Sequence, residues 1–183
     1  MKIKHLTLAF VAMSAANMAM ADSGTINFTG QIVQDTCSTA LTGGASSTAV
    51  TLPTVQHSTL ATNGASTGET GFSLNVTGCE GANTRGIHFT LTPTAYDAVN
   101  NNLLGNTSTT NPASNVGIEI AEGAVGSATA INFVGAAKNS ATVVINNPTN
   151  GSGSLPLTAK YKATGAATAG TVTAALGWSL VYN

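Results

Sequence analysis

Residues 170–183 read GTVTAALGWSLVYN, and this stretch decides the fold. Val172, Ala174, Leu176, Trp178, Leu180 and Tyr182 fall on one parity, while Thr171, Thr173, Ala175, Gly177, Ser179 and Val181 fall on the other. A period of two over this length is the signature of a β-strand with one buried face. Similar alternation recurs upstream. Phe72, Leu74 and Val76 lead into Gly78-Cys79, Ile87, Phe89 and Leu91 run to Pro93, and Ile118 and Ile120 mark a shorter run. Val143 and Ile145 precede a turn-rich segment at residues 146–151, after which Leu155, Leu157, Ala159, Tyr161 and Ala163 alternate. Asn, Pro and Gly in that segment predict a hairpin between the two runs. No long stretch has a helical period, although a short helical turn fits residues 95–99. About seven short strands separated by turns predict a β-sandwich. The polar stretches 38–49 and 104–115 read as surface loops. Residues 57–68 and 97–115 are expected to face outward.

Composition agrees. Only 7% of the 183 residues are charged and 43% are hydrophobic. Lys, Glu, Arg and Gln, which usually fill helix surfaces, are scarce. The near-neutral balance excludes a nucleic-acid binder, which needs a basic surface to neutralise phosphates. It also excludes charge-driven disorder.

The N-terminus has the three parts of a secretory signal: basic Lys2, Lys4 and His5, an apolar run over residues 6–16, and Ala19-Met20-Ala21 as a small-residue cleavage site. Cleavage between Ala21 and Asp22 leaves residues 22–183, with seven acidic residues against four basic ones. The apolar run is too short to span a bilayer comfortably. The two cysteines, Cys37 and Cys79, form an even count in an exported chain and read as one disulfide. A metal or redox pair is the weaker alternative, with no C-x-x-C and only His57 and His88 beyond the signal.

No catalytic constellation emerges, and the chain reads as non-enzymatic. Its seven carboxylates are scattered and read as solvated charges. Glu119 and Glu122 fall on opposite faces of an extended run, so they do not form a paired-carboxylate site. His88, between Ile87 and Phe89, belongs to the wet side of its strand. There is no nucleophile elbow, P-loop or dinucleotide fingerprint, and no cofactor is expected. Trp178 and Tyr182 could form a sugar platform, but their parity with Val172, Leu176 and Leu180 favours core or interface packing.

The two ends complete the picture. Gly24-Thr25-Ile26-Asn27-Phe28-Thr29-Gly30-Gln31-Ile32-Val33 is an alternating segment that runs into Cys37. Then come Phe72–Cys79, Asn115-Val116-Gly117-Ile118, residues 159–166 and the C-terminal strand. Gly170 stands fourteenth from the end and aromatic Tyr182 is penultimate. This ordered set resembles the structural subunits of chaperone–usher fimbriae, the type 1-like pilins of Gram-negative bacteria.

The resemblance implies an all-β, incomplete immunoglobulin-like sandwich lacking its last strand, completed by a donor strand from a neighbouring subunit. It divides the chain into a signal peptide (1–21), an N-terminal donor-strand extension (22–36) and a pilin domain (37–183). Ile26, Phe28, Gly30 and Ile32 would then be the donor residues. Gly170, Val172, Ala174, Leu176, Trp178, Leu180 and Tyr182 would form the acceptor groove and the strand recognised by the chaperone. Expected partners are copies of the same chain, a periplasmic fimbrial chaperone and an outer-membrane usher, with any host receptor unassigned. The expected location is the cell surface, reached through the periplasm. A minor adaptor subunit of the same fimbria and a secreted, monomeric carbohydrate-binding sandwich are the alternatives.

Overall fold

The computed structural model describes residues 37–42, 49–79, 86–97, 99–100, 102–133, 137–145 and 150–182. The expected signal peptide with its Ala21–Asp22 cleavage site, and donor residues Ile26, Phe28, Gly30 and Ile32, lie outside these residues.

The described chain is all-β apart from one 3-10 turn at His57–Leu60. Its nine strands are β1 (Ser38–Thr42), β2 (Ser66–Cys79), β3 (Gly86–Pro93), β4 (Val116–Glu122), β5 (Thr129–Ala130), β6 (Lys138–Asn139), β7 (Val143–Val144), β8 (Gly151–Ala163) and β9 (Leu176–Tyr182). One sheet has the order β1-β2-β8-β4-β5. In the second, β3 pairs β9 along residues 87–93. β6 and β7 pair residues of β3 that are already bonded to β9, so they occupy its opposite edge. All these pairings are antiparallel.

The alternation read from the sequence is the core. Leu74 and Val76 of β2, Ile118 and Ile120 of β4, and Leu155, Leu157 and Ala159 of β8 meet Ile87, Phe89 and Leu91 of β3 between the sheets. Their packing supplies the main stabilising term, because each such side chain removed from water contributes roughly 1.5–3 kcal/mol. Cys37 and Cys79 are joined by a disulfide. On the chain-entropy estimate a loop of about 43 residues closed this way stabilises by roughly 4 kcal/mol.

The tertiary structure departs from four expectations. Residues 38–42 form strand β1 rather than a loop: next to the disulfide, Ser38 is held opposite Thr77 and the pairing continues to Thr42 and Ser73. Val143 and Ile145 do not make a hairpin with β8. One edge of β8 is taken by β2 and the other by β4, whereas β3 still has an edge for β7. Val143 therefore lies in the sheet opposite β8, and Gly153 permits its close packing, since a Cβ there would lie 2.5 Å from the Val143 side chain. Third, residues 97–115 do not simply face outward. Leu103, Leu104 and Ala113 are buried, and Leu104 exchanges backbone hydrogen bonds with Ile118 at 2.8 and 3.0 Å. These apolar side chains draw a mostly polar segment onto the edge of β4. Finally, the helical turn lies at residues 57–60, not at 95–99, and Ser66–Gly68 already belong to β2.

Glu119 is also a correction: it is not a solvated charge but 6% exposed. It stands directly opposite Lys160 across β4 and β8. Its carboxylate lies 3.1 Å from the Lys160 ammonium and also bonds Lys162. Burial pushes this carboxyl up, but the hydrogen bonds and charges of Lys162 and Lys160 outweigh burial and hold it below the ordinary range.

Candidate functional site

The final run of the chain has one satisfied edge and one open edge. In an antiparallel pair, alternate residues direct their backbone groups to opposite sides. Thr94 N–H donates to Ala175 O, which continues the β3–β9 register upstream. Residues 177, 179 and 181 therefore bond β3. The N–H and C=O groups of Leu176, Trp178, Leu180 and Tyr182 point the other way. Among the described residues, no strand pairs with that outer edge of β9.

Side chains of the same parity lie over the core but are not covered. Ile87, Phe89 and Leu91 of β3 are at most 1% exposed. Their register partners on β9 are Tyr182, Leu180 and Trp178. Leu180 is half-buried, while Trp178 and Tyr182 are 40% and 42% exposed. Trp178 still points inward, packing edge-on against Phe89 with ring centroids 5.8 Å apart. Val172, Ala174 and Leu176 are likewise half-buried against the core. One strand's width thus separates a sealed interior from an open apolar surface.

Upstream this surface deepens into a cavity of about 750 Å³. Its walls are residues 54–60, including the 3-10 turn, and residues 167–173, with Val116 and Tyr161 below. Burial pushes the Tyr161 phenol up. Residues 57–68 do not all face outward as expected, because Leu60 is buried in this wall; the apolar residues Leu52, Val55 and Leu60 are its signal in the sequence, too sparse, with Pro53 among them, to mark an element.

Gly170 lies where this wall touches residues 111–113. A Cβ there would come within 2.5 Å of Ala113 N and 2.6 Å of Asn111 O, so backbone occupies the space of any side chain. At the other end of β9, Tyr182 reaches Cys37, whose N–H donates to the phenol oxygen at 2.9 Å. His88 is half-exposed between buried neighbours, as expected of the wet side of β3.

A family model described as fimbrial protein matches residues 26–183. The chain belongs to the fimbrial protein family. This fimbrial protein is 36% identical over 175 residues to the major fimbrial subunit SMF-1 of Stenotrophomonas maltophilia, covering 93% of its own length and 99% of the relative. It is 32% identical to the type-1 fimbrial protein A chain of Escherichia coli K12, with both chains covered completely. Its fold is similar to the crystal structure of the P pilus rod subunit PapA, with a TM-score of 0.50 and 14% identity, over 80% of this chain and 99% of that one. The architecture is thus an incomplete immunoglobulin-like sandwich. The family is structural, not enzymatic, and its members polymerise into fibres. The chain is accordingly a structural subunit of a fimbria, and the reading as a monomeric sugar-binding sandwich gives way.

Proposed function

We propose that this fimbrial protein is a major subunit whose polymer grows by β-strand addition into the groove along β9. Residues 22–36 of one copy supply the missing strand of the next, which satisfies the outer edge and covers the apolar floor. Ile26, Phe28 and Ile32 enter the groove, and Gly30 lets the backbone approach where a side chain would not fit. Burying three such side chains contributes roughly 5–9 kcal/mol before ordering costs. Gly170, Val172, Ala174, Leu176, Trp178, Leu180 and Tyr182 form the acceptor.

An unpaired, apolar edge invites aggregation. A periplasmic chaperone therefore holds the groove after export and cleavage between Ala21 and Asp22, and an outer-membrane usher receives the subunit for display at the cell surface. The observation that carries this reading is the change across one register, from sealed Phe89 and Leu91 to half-buried Leu180 and exposed Trp178.

The test is thermal unfolding of two oxidised, chaperone-free chains. One comprises residues 37–183; the other carries residues 22–36 after Asn183 through a flexible linker. A cooperative, stable transition in the second alone supports strand addition. Equal stability of the first would mean that the sandwich is complete without a donor.

A further inference from the structure

β3 ends at Pro93, so it can hold the final run only as far back as Leu176, apart from one bond to Ala175. Residues 170–175, which wall the cavity, need another support to remain extended. The side chain of Asn106 supplies much of it. Its Nδ2 donates to Thr171 O and to Ala113 O, both at 2.9 Å. Its Oδ1 accepts from Thr173 N–H and Ser108 N–H, both at 3.0 Å. An amide side chain has two donor hydrogens and two acceptor lone pairs, so every valence of Asn106 is used. Toward the final run it acts as a neighbouring strand would, accepting from one residue's N–H and donating to another's C=O. Backbone bonds share the closed edge: Thr107 N–H donates to Thr173 O (2.8 Å), Thr171 N–H to Asn111 O (2.7 Å) and Ala113 N–H to Thr171 O (3.0 Å).

The consequence lies on the other edge. With Thr171 and Thr173 bonded to the Asn106 side, the backbone groups of Val172 and Ala174 face the groove. They have no backbone partner among the described residues. We infer that Asn106 is a positioning residue for strand addition: it keeps residues 171–174 in strand geometry before the donor arrives, so that the donor need not order them. This rests on the strand-addition reading above. It adds that the part of the acceptor beyond β3 is preorganised by the Asn106 side chain acting with the short parallel bridge of Pro112 to Thr171, the side chain alone holding the Thr173 N–H. Preorganisation of this kind acts by removing an ordering cost from the binding step.

The test uses the full-length subunit held by its chaperone and a synthetic peptide with the sequence of residues 22–36. Peptide uptake is timed for the wild type, Asn106→Ala and Asn106→Asp. The aspartate is isosteric and retains both acceptor bonds, but sets a carboxylate against the carbonyls of Thr171 and Ala113. It carries the test if the alanine variant is not recovered. Amide hydrogen exchange of Leu155–Ala163 reports on the sandwich itself. The expected result is uptake slowed about tenfold or more in the variants, with β8 protection unchanged. Wild-type uptake rates in the variants would overturn the assignment, as would slowing matched by an equal loss of β8 protection. Failure of the wild type to take up the peptide at all would instead overturn strand addition, and the inference with it.

Discussion

The phenol oxygen of Tyr182 accepts a hydrogen bond from the amide of Cys37, 145 residues earlier in the chain. Cys37 is also tied to Cys79 at the end of β2. The last strand and the point where the N-terminal segment joins the sandwich are therefore held together. Tyr182→Phe keeps the ring and removes the acceptor. Because the site is partly exposed, the expected loss is about 0.5–1 kcal/mol, read by urea unfolding of the chain with its donor strand appended.

Gly170→Ala places a methyl group into the backbone of residues 111–113. Either the cavity wall or the 106–113 segment has to shift. The expected cost is about 1–3 kcal/mol in the donor-appended chain, with a lower yield of sheared fibres from cells carrying the variant. Gly71→Ala is the matching control, since its Cβ would meet only the Val125 side chain at 3.2 Å, and its stability should stay near the wild type.

Glu119 makes stability depend on acid. Its folded-state pKa is lowered by Lys162 and Lys160 against the opposing effect of burial. Its contribution is therefore fully present above the ordinary carboxylate pKa and is lost as pH falls through the lower, folded-state value. Denaturation midpoints across this acid range should fall less steeply for Glu119→Gln than for the wild type. At neutral pH the same variant should be less stable, because two lysines lose their carboxylate partner. Parallel acid limbs would show that Glu119 is not the group responsible.

Phe28→Asp puts a charge into the proposed donor strand. The expected phenotype is loss of fibres, with the chaperone-held subunit recovered from the periplasm at normal levels, since its own groove is untouched. Electron microscopy of cells and co-purification with the chaperone read the two halves separately. Normal fibres would sink the donor assignment.

How far the sequence could be read depended on how local the signal was. Period two at Phe72–Val76, Ile87–Leu91 and Leu155–Ala163 marked the core strands, because each buries one face and needs no knowledge of its neighbours. The same rule placed Val172, Ala174, Leu176, Trp178, Leu180 and Tyr182 together on one face. The even cysteine count, in a chain whose N-terminus reads as a secretory signal, pointed to the disulfide before any geometry was known. Position relative to the C-terminus picked out Gly170, while its cause, the backbone of residues 111–113, lies far away in sequence.

The sequence by itself determined the core strands, the disulfide pair, the resemblance to pilins and the identity of the apolar face on β9. Tertiary structure decided what occupies each edge and what covers each face. Residues 38–42 pair because the Cys37–Cys79 bond brings them beside β2. Val143 and Val144 join β3 because β8 has β2 on one edge and β4 on the other. Glu119 is buried because two lysines of β8 neutralise it there. Asn106, one polar residue among many in a loop, acquires its role only when the fold sets it beside Thr171 and Thr173. The physical reason is common to all four: side-chain parity is a property of a strand alone, whereas pairing, burial and hydrogen-bond partners belong to residues distant in the chain.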